Sequence, residues 1–299
     1  MKRRDLLLTG AGGALALGMS AFPWQWTAAK DGRRRHLLMF TRSAGFQHSV
    51  IARREDELST AEEVVTVLGR QHGFDVTCTK DGGVFDGDLD RFDAIFFYTT
   101  GDLTGERSAD GQPGMSREGK QRLLDAVAAG KGFLGSHCAS DTFHSAGPAG
   151  ENQDEPDPYI VMLGGEFIVH GAQQEATLRL VSPGFPGTSG LGEQIRLLEE
   201  WYALKNFTPD LHVILVQETA DMQGPMYQRP PFPATWARQH GEGRVFYTSL
   251  GHREDIWANR HFQELLLGAL SWTFRQVDAD VTPNIKSVTP DAWVLRGTA

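Results

Sequence analysis

The chain has 299 residues, 40% of them apolar and 10% aromatic, and a formal net charge of -9 at pH 7. That length suits one large α/β domain or two ordinary ones, and the composition is globular, not disordered. The acidic balance argues against a nucleic-acid partner, which needs a basic face to neutralise phosphates; neutral ligands such as sugars remain open.

Residues 1–29 are set apart from the fold. Lys2, Arg3 and Arg4 make a positive start, Leu6 to Trp26 is apolar and glycine-rich, and Thr27-Ala28-Ala29 is small enough for cleavage before Lys30. This is the pattern of an export signal. The paired arginines resemble the twin-arginine type, which carries folded proteins across the bacterial inner membrane. The mature protein is then periplasmic or extracellular and meets a membrane only during export. A retained anchor is the alternative, since the stretch approaches the length of a membrane span. Two cysteines, Cys78 and Cys138, are no disulfide framework, so two free thiols are expected.

The main body, residues 30–276, begins with a buried strand, "HLLMF", from His36 to Phe40. A helix is predicted from Glu55 to Gln71 with a stop at Gly73, because Leu58, Ala61, Val64, Val65 and Leu68 share a face. "FDVTCT" and "FDAIFFYTT" read as the next strands, the latter almost continuously apolar, as strands covered on both faces are. A helix from Arg117 to near Gly130 leads into the strand "GFLGS". This alternation predicts a parallel sheet. "EATLRLVS", "IRLLEEWYALK" and "LHVILVQET" follow as strands with few helices between them, which implies added antiparallel strands or a long insertion. Gly224 to Ala234 holds four prolines and reads as a loop. "TWARQHGEGRVFYTSLGH" reads as a hairpin turning at Gly241-Glu242-Gly243, and Arg260 to Gln276 as a helix docked on the sheet. The tail, 277–299, is expected to be loosely held.

In open α/β sheets ligands bind beyond the carboxyl ends of the strands. Those positions hold Gly45-Phe46-Gln47-His48, Thr99-Thr100-Gly101-Asp102, then His137-Cys138 with Asp141 and His144, and finally Gly251-His252-Arg253-Glu254-Asp255. His170, before a glycine, is able to turn back to the same rim. One histidine after a strand is usually a bonded loop residue, but several converging imidazoles suit acid/base work or metal ligation. His36, His72, His212, His240 and His261 read as structural, solvated or capping residues. Glu199-Glu200-Trp201-Tyr202 reads either as a sugar site, with rings to stack and carboxylates to accept hydroxyls, or as a strand with alternate residues in water. Gly164-Gly165-Glu166-Phe167 lacks the Lys and Ser/Thr of a phosphate loop, so no nucleotide is expected.

"GFLGSHCAS", "YIVMLGGEFIVHG", "EEWYALK" and "TWARQHGEGRVFYTSLGHREDIW" together resemble the trehalose-utilisation, or ThuA-like, family, over about Arg35 to Phe274. The resemblance implies a flavodoxin-like three-layer α/β sandwich similar to class I glutamine amidotransferases, with a mainly parallel central sheet and added antiparallel strands. It also implies a role in sugar catabolism, on trehalose or 3-keto-glycosides. The amidotransferase cysteine position matches His137, and the His-x-Glu partner pair falls near His252-Arg253-Glu254. Glutaminase chemistry is disfavoured, because Cys138 lies one residue out of register at a tight turn.

The leading expectation is a divalent-metal-dependent enzyme, with zinc or manganese, that hydrolyses a glycoside or eliminates from a keto-glycoside. Its catalytic candidates are His137, His252, Glu254 and Glu200, and its metal candidates His48, His137, His170 and His252. Its candidate substrate contacts are His48, Phe46, Trp201, Tyr202, Asp141 and His144. A keto group acidifies the neighbouring C–H, so a His or Glu base with a metal on the oxygen suits cleavage. The alternatives are a non-catalytic carbohydrate-binding protein and an amidotransferase relic with a new hydrolase role. The partner in each sugar reading is a small molecule.

Overall fold

The computed structural model describes residues 32–55 and 57–295. The segment read as an export signal lies outside them. Among the described residues no helix is long and apolar enough to cross a membrane.

The first strand, β1 (Arg35–Phe40), leads through a loop to α1 (Thr60–His72) and β2 (Phe74–Thr79). α1 starts later than its apolar periodicity predicts. Glu55 adopts φ +52°, which a helix does not tolerate, and Glu62 reaches back to accept the backbone N–H of Ser59 at 2.9 Å, which fixes the start. The helix stops at Gly73, as predicted, with φ +79°. β3 (Ala94–Phe97), α2 (Arg117–Ala128) and β4 (Gly132–Ser136) follow. β1, β2, β3 and β4 all pair in parallel, and every residue of β3 and β4 is buried.

The chain then leaves the parallel half through α3 (Pro158–Leu163) and β5 (Glu166–His170). β6 (Gln174–Leu180) and β7 (Gln194–Glu199) form the outer antiparallel pair. "IRLLEEWYALK" is therefore not one strand. It breaks after Glu199, and its second half, β8 (Tyr202–Lys205), pairs with β5 in a separate two-stranded sheet. β9 (His212–Gln217), β10 (Phe232–His240) and β11 (Gly243–Thr248) bring the chain back. β10 begins inside the proline stretch expected to be a loop. Pro233 is accommodated because the β9–β10 register shifts beside it. The β10–β11 hairpin matches the sequence reading, with His240 paired to Gly243.

The large sheet has the order β2-β1-β3-β4-β11-β10-β9-β6-β7. The first five strands are parallel and the last four pair antiparallel. The mixed α/β class and the mostly parallel centre are those expected. α4 (Glu254–Trp257) and α5 (Arg260–Thr273) follow β11, with α5 against β4 and β11 and α1 against β2.

The described part of the tail, residues 277–295, is not loose. α6 (Ile285–Val288) carries a fully buried Ile285, and Ala292 is fully buried as well. The buried Arg229 guanidinium donates to the Ala292 carbonyl at 2.6 Å, and Trp293 donates to the Phe207 carbonyl at 2.9 Å. Sparse apolar periodicity hides this docking, because it is made by side-chain donors on backbone carbonyls. Both cysteines are free.

Candidate functional site

Four reversals of direction separate β11 from β7, so the carboxyl ends of β1, β3, β4, β11 and β7 all lie along one edge of the sheet. The site is assembled there. His48 is delivered by the loop after β1, held because the Thr100 hydroxyl accepts from the Phe46 N–H at 3.1 Å and donates to the Phe46 carbonyl at 2.8 Å. The loops after β1 and β3 pack so closely that a Cβ on Gly101, which has φ +73°, meets the Gly45 nitrogen at 2.8 Å.

His137 occupies the turn at the end of β4 with φ +46°, a conformation uncommon outside glycine. Its carbonyl accepts from the Tyr247 hydroxyl at 2.7 Å, and its Nδ1 lies 3.0 Å from the Ser249 carbonyl. That bond assigns the proton to Nδ1 and leaves the Nε2 lone pair facing inward. Nε2 lies 3.5 Å from Glu200 Oε2 and 3.3 Å from His252 Nδ1, and His252 Nδ1 is 3.1 Å from the same carboxylate oxygen. The ring of His48 stands edge-on to both others, with centroids 5.0 Å from His137 and 5.2 Å from His252. One ligand atom from each of His48, His137, Glu200 and His252 falls within 4.8 Å of the others.

The electrostatics fit this arrangement. Burial pushes His48 down to about 2 and lowers His137 as well, so both rings are neutral. Burial by itself raises Glu200, but a hydrogen bond from a facing ring outweighs it and holds the carboxyl well below the ordinary range; with the His137 proton on Nδ1, that donor is His252 Nδ1, 3.1 Å from Oε2. Neutral nitrogens and an ionised oxygen therefore converge on one point. Cys138, by contrast, is fully buried, and burial raises its thiol well above the ordinary value. A thiolate nucleophile does not form there.

The sequence model of the ThuA, trehalose utilisation, family matches residues 36–273. The chain belongs to the ThuA family. It is similar to crystal structures of ThuA-like proteins from Bacteroides uniformis (16% identity, TM-score 0.56, covering 85% of this chain and 95% of that one) and Parabacteroides merdae (17% identity, TM-score 0.59, covering 89% and 98%). At these identities the likeness is one of fold. No curated protein matches.

Of the residues singled out in the sequence, His48, His137, His252 and Glu200 lie together. His170 does not join the four. Its side chain is 44% exposed, and its Nδ1 lies 3.2 Å from the other carboxylate oxygen of Glu200, so it backs that group from outside. Glu254 also stays apart: it accepts from the Ser49 hydroxyl at 2.6 Å in the first turn of α4. Tyr202 forms a wall, its ring centroid 4.0 Å from that of His137. Phe46 is the most exposed large apolar residue near the cluster, at 64%, and stands edge-on to His48. Trp201 cannot stack on a sugar. It is fully buried and its indole N–H donates to the Gln174 carbonyl at 2.7 Å.

Asp141 and His144 belong to a second network. His144 lies 2.6 Å from Asp141 and 3.1 Å from Glu166, and Glu166 also accepts from Ser145 and Asn206. The Phe167 ring lies between this network and the first, 6.5 Å from the His144 ring and 6.1 Å from that of His170. Sequence reasoning did not single out Tyr98, whose hydroxyl donates to the Gly251 carbonyl at 2.9 Å, or Ser249, whose carbonyl orients His137. Tyr98 was signalled by its place at the end of β3. A backbone carbonyl carries no residue-type signal.

Proposed function

We propose that the protein is an exported enzyme of sugar catabolism whose His48–His137–Glu200–His252 cluster holds a divalent cation and acts on a glycoside or 3-keto-glycoside, by hydrolysis or elimination. The observation that carries this reading is the convergence of three imidazoles and one ionised carboxylate within 4.8 Å at the ligand-binding edge of the sheet. The fit to a cation has its own support. His48 Nδ1 is buried with no hydrogen-bond partner, and the His137 lone pair and the Glu200 carboxylate oxygen face one another at 3.5 Å, a pair that a cation between them would hold. Imidazole and carboxylate donors suit zinc or manganese. A bound cation supplies Lewis-acid polarisation of a sugar carbonyl or hydroxyl.

The chain's own groups supply the rest. Glu200 takes part through Oε2 while His170 steadies Oε1. With His170 Nδ1 bonded to the Gly171 carbonyl and to Glu200, its Nε2 is the half-exposed atom available to take a proton from carbon beside a keto group. Phe46 offers an apolar face to a pyranose ring. The order of the five parallel strands, β2-β1-β3-β4-β11, is that of flavodoxin-like sheets and supports an amidotransferase-like origin. The arginine pair and the small residues before Lys30 support export. Mass spectrometry of secreted protein is expected to find a mature start near Lys30, and full-length protein held in the cytosol overturns that part.

The deciding experiment is turnover of trehalose and of 3-keto-trehalose by purified protein, stripped of metal and then reloaded with zinc or manganese. Consumption of substrate only after reloading supports the enzyme. Binding of sugar without consumption, seen as a raised melting temperature, replaces it with the carbohydrate-binding reading.

A further inference from the structure

We propose that Glu199 is the positioning residue of this site: its carboxyl group fastens the His252 turn to the end of β7 and thereby sets the distance between His252 and Glu200. The inference rests on the reading that the His48–His137–Glu200–His252 cluster is the functional centre. Glu199 is fully buried, yet nothing in its own strand pairing calls for a carboxylate. Its Oε1 accepts the backbone N–H of Gly251 at 3.2 Å and that of His252 at 2.5 Å.

The sheet itself does not bring these segments together. β10, β9 and β6 lie between β11 and β7, four strand spacings, or about 19 Å along a flat sheet. No ladder hydrogen bond joins β7 to the turn after β11. Glu199 bridges them across the edge of the sheet. Neighbouring residues at a strand end point to opposite sides, so the pair Glu199-Glu200 divides the work: one carboxyl grips the turn and the next enters the cluster. The chain passes from the large sheet to the small one directly after this pair.

The turn is held from its other side as well. The Gly251 carbonyl accepts from the Tyr98 hydroxyl at 2.9 Å and from the Trp257 indole at 2.7 Å. Gly251 has φ +122°, and a Cβ there meets the Ser136 hydroxyl at 2.7 Å. Those contacts hold the carbonyl side of the Gly251–His252 peptide, and Glu199 holds its N–H side. The Oε2 atom of Glu199 is buried with no hydrogen-bond partner, so exchanging it for an amide nitrogen removes no observed bond, whereas truncation leaves two buried N–H groups without their acceptor.

The test compares wild type with Glu199→Ala, Glu199→Asp and Glu199→Gln. Manganese affinity is measured by calorimetry on each folded variant, and the metal-free proteins are crystallised. Loss of an outer support typically weakens metal binding by about 10- to 100-fold; that loss is expected in Glu199→Ala and, if alanine does not fold, in the shortened Glu199→Asp. Glu199→Gln is expected to stay within about 3-fold of wild type. The metal-free alanine or aspartate structure should show the His252 ring moved away from Glu200. A folded alanine or aspartate variant with unchanged affinity and His252 in place overturns the proposal, as does a glutamine variant as weak as alanine. Wild-type protein that binds no manganese or zinc defeats the metal reading instead, and the position of His252 in the metal-free structures still decides the role of Glu199.

Discussion

His137 carries the strain of the turn that ends β4. A non-glycine residue at φ +46° costs on the order of 1–3 kcal/mol, and the fold keeps it because Tyr247 and Ser249 hold its carbonyl and its ring. Two consequences separate backbone from side chain. His137→Gly and His137→Ala both lose cation binding, but the glycine variant is expected to be more stable by about 1 kcal/mol, since only alanine retains the penalty of positive φ; chemical denaturation measures the difference. Cys138→Ala is expected to keep cation binding and most activity, and a folded but dead alanine variant would restore the thiol to the mechanism. His144 makes a separate residue-scale prediction. Hydrogen bonds to Asp141 and Glu166 raise its pKa from 6.5 to about 9. The folded protein therefore holds this proton more tightly than the unfolded chain. That stabilisation is complete below about pH 6.5 and disappears as pH rises through 9. Burial pushes Glu166 up, but hydrogen bonds from His144, Ser145 and Asn206 bring it down to about 2, so its share is lost only as pH falls from 4.5 toward 2. His144→Gln should flatten the fall in melting temperature between pH 7 and 9.5. An unchanged slope would assign that fall to other groups. The ring is 44% exposed, so solvent screens the effect.

At the scale of elements, the parallel half is legible because burial on both faces leaves continuous apolar runs, and β1, β3 and β4 are such runs. The other half is harder to read for a physical reason. β7 is an edge strand whose burial alternates, while β8, two residues on, is buried throughout in another sheet. Nothing in "LLEEWYALK" records that change of sheet. The site shows the same split. Strand-end histidines announce themselves by position, whereas the choice of Glu200 over His170 as the fourth group depends on where β5 and β8 place two side chains. One tie that docks the tail comes from a residue that sequence reading passes over. Arg229, 6% exposed, donates to the carbonyls of Leu204 and Ala292, each at 2.6 Å, and its guanidinium lies over the Phe232 ring. Arg229→Ala leaves both acceptors unpaired and removes a charge-assisted tie between β8 and the tail. It is expected to cost about 3 kcal/mol in denaturant unfolding. A loss below about 1 kcal/mol would mean that Trp293 and Ile285 hold the tail without it.

At the scale of the whole molecule, the cluster is where distant parts of the chain meet. His48 follows β1, His137 follows β4, Glu200 follows the outermost strand of the antiparallel half, and His252 follows the last parallel strand. An ion held by all four ties the two halves of the sheet together across one edge, and unfolding must release it. A ligand bound only by the native state stabilises it by about 2.7 kcal/mol when present at 100 times its dissociation constant. For a domain of this size each kcal/mol raises the melting temperature by about 2–4 °C, so saturating zinc or manganese should raise the wild-type value by about 5–10 °C. His137→Ala and His252→Ala each remove one of the converging nitrogens and should lose most of that rise at the same metal concentration. Cys138→Ala should keep it, because its sulfur is not among the ligand atoms that lie within 4.8 Å of one another. If wild type and the two histidine variants gain equally, the ion is binding elsewhere on the chain. If none gains, the neutral rings and the Glu200 carboxylate share a proton instead, and the cluster then acts by hydrogen bonding to sugar hydroxyls.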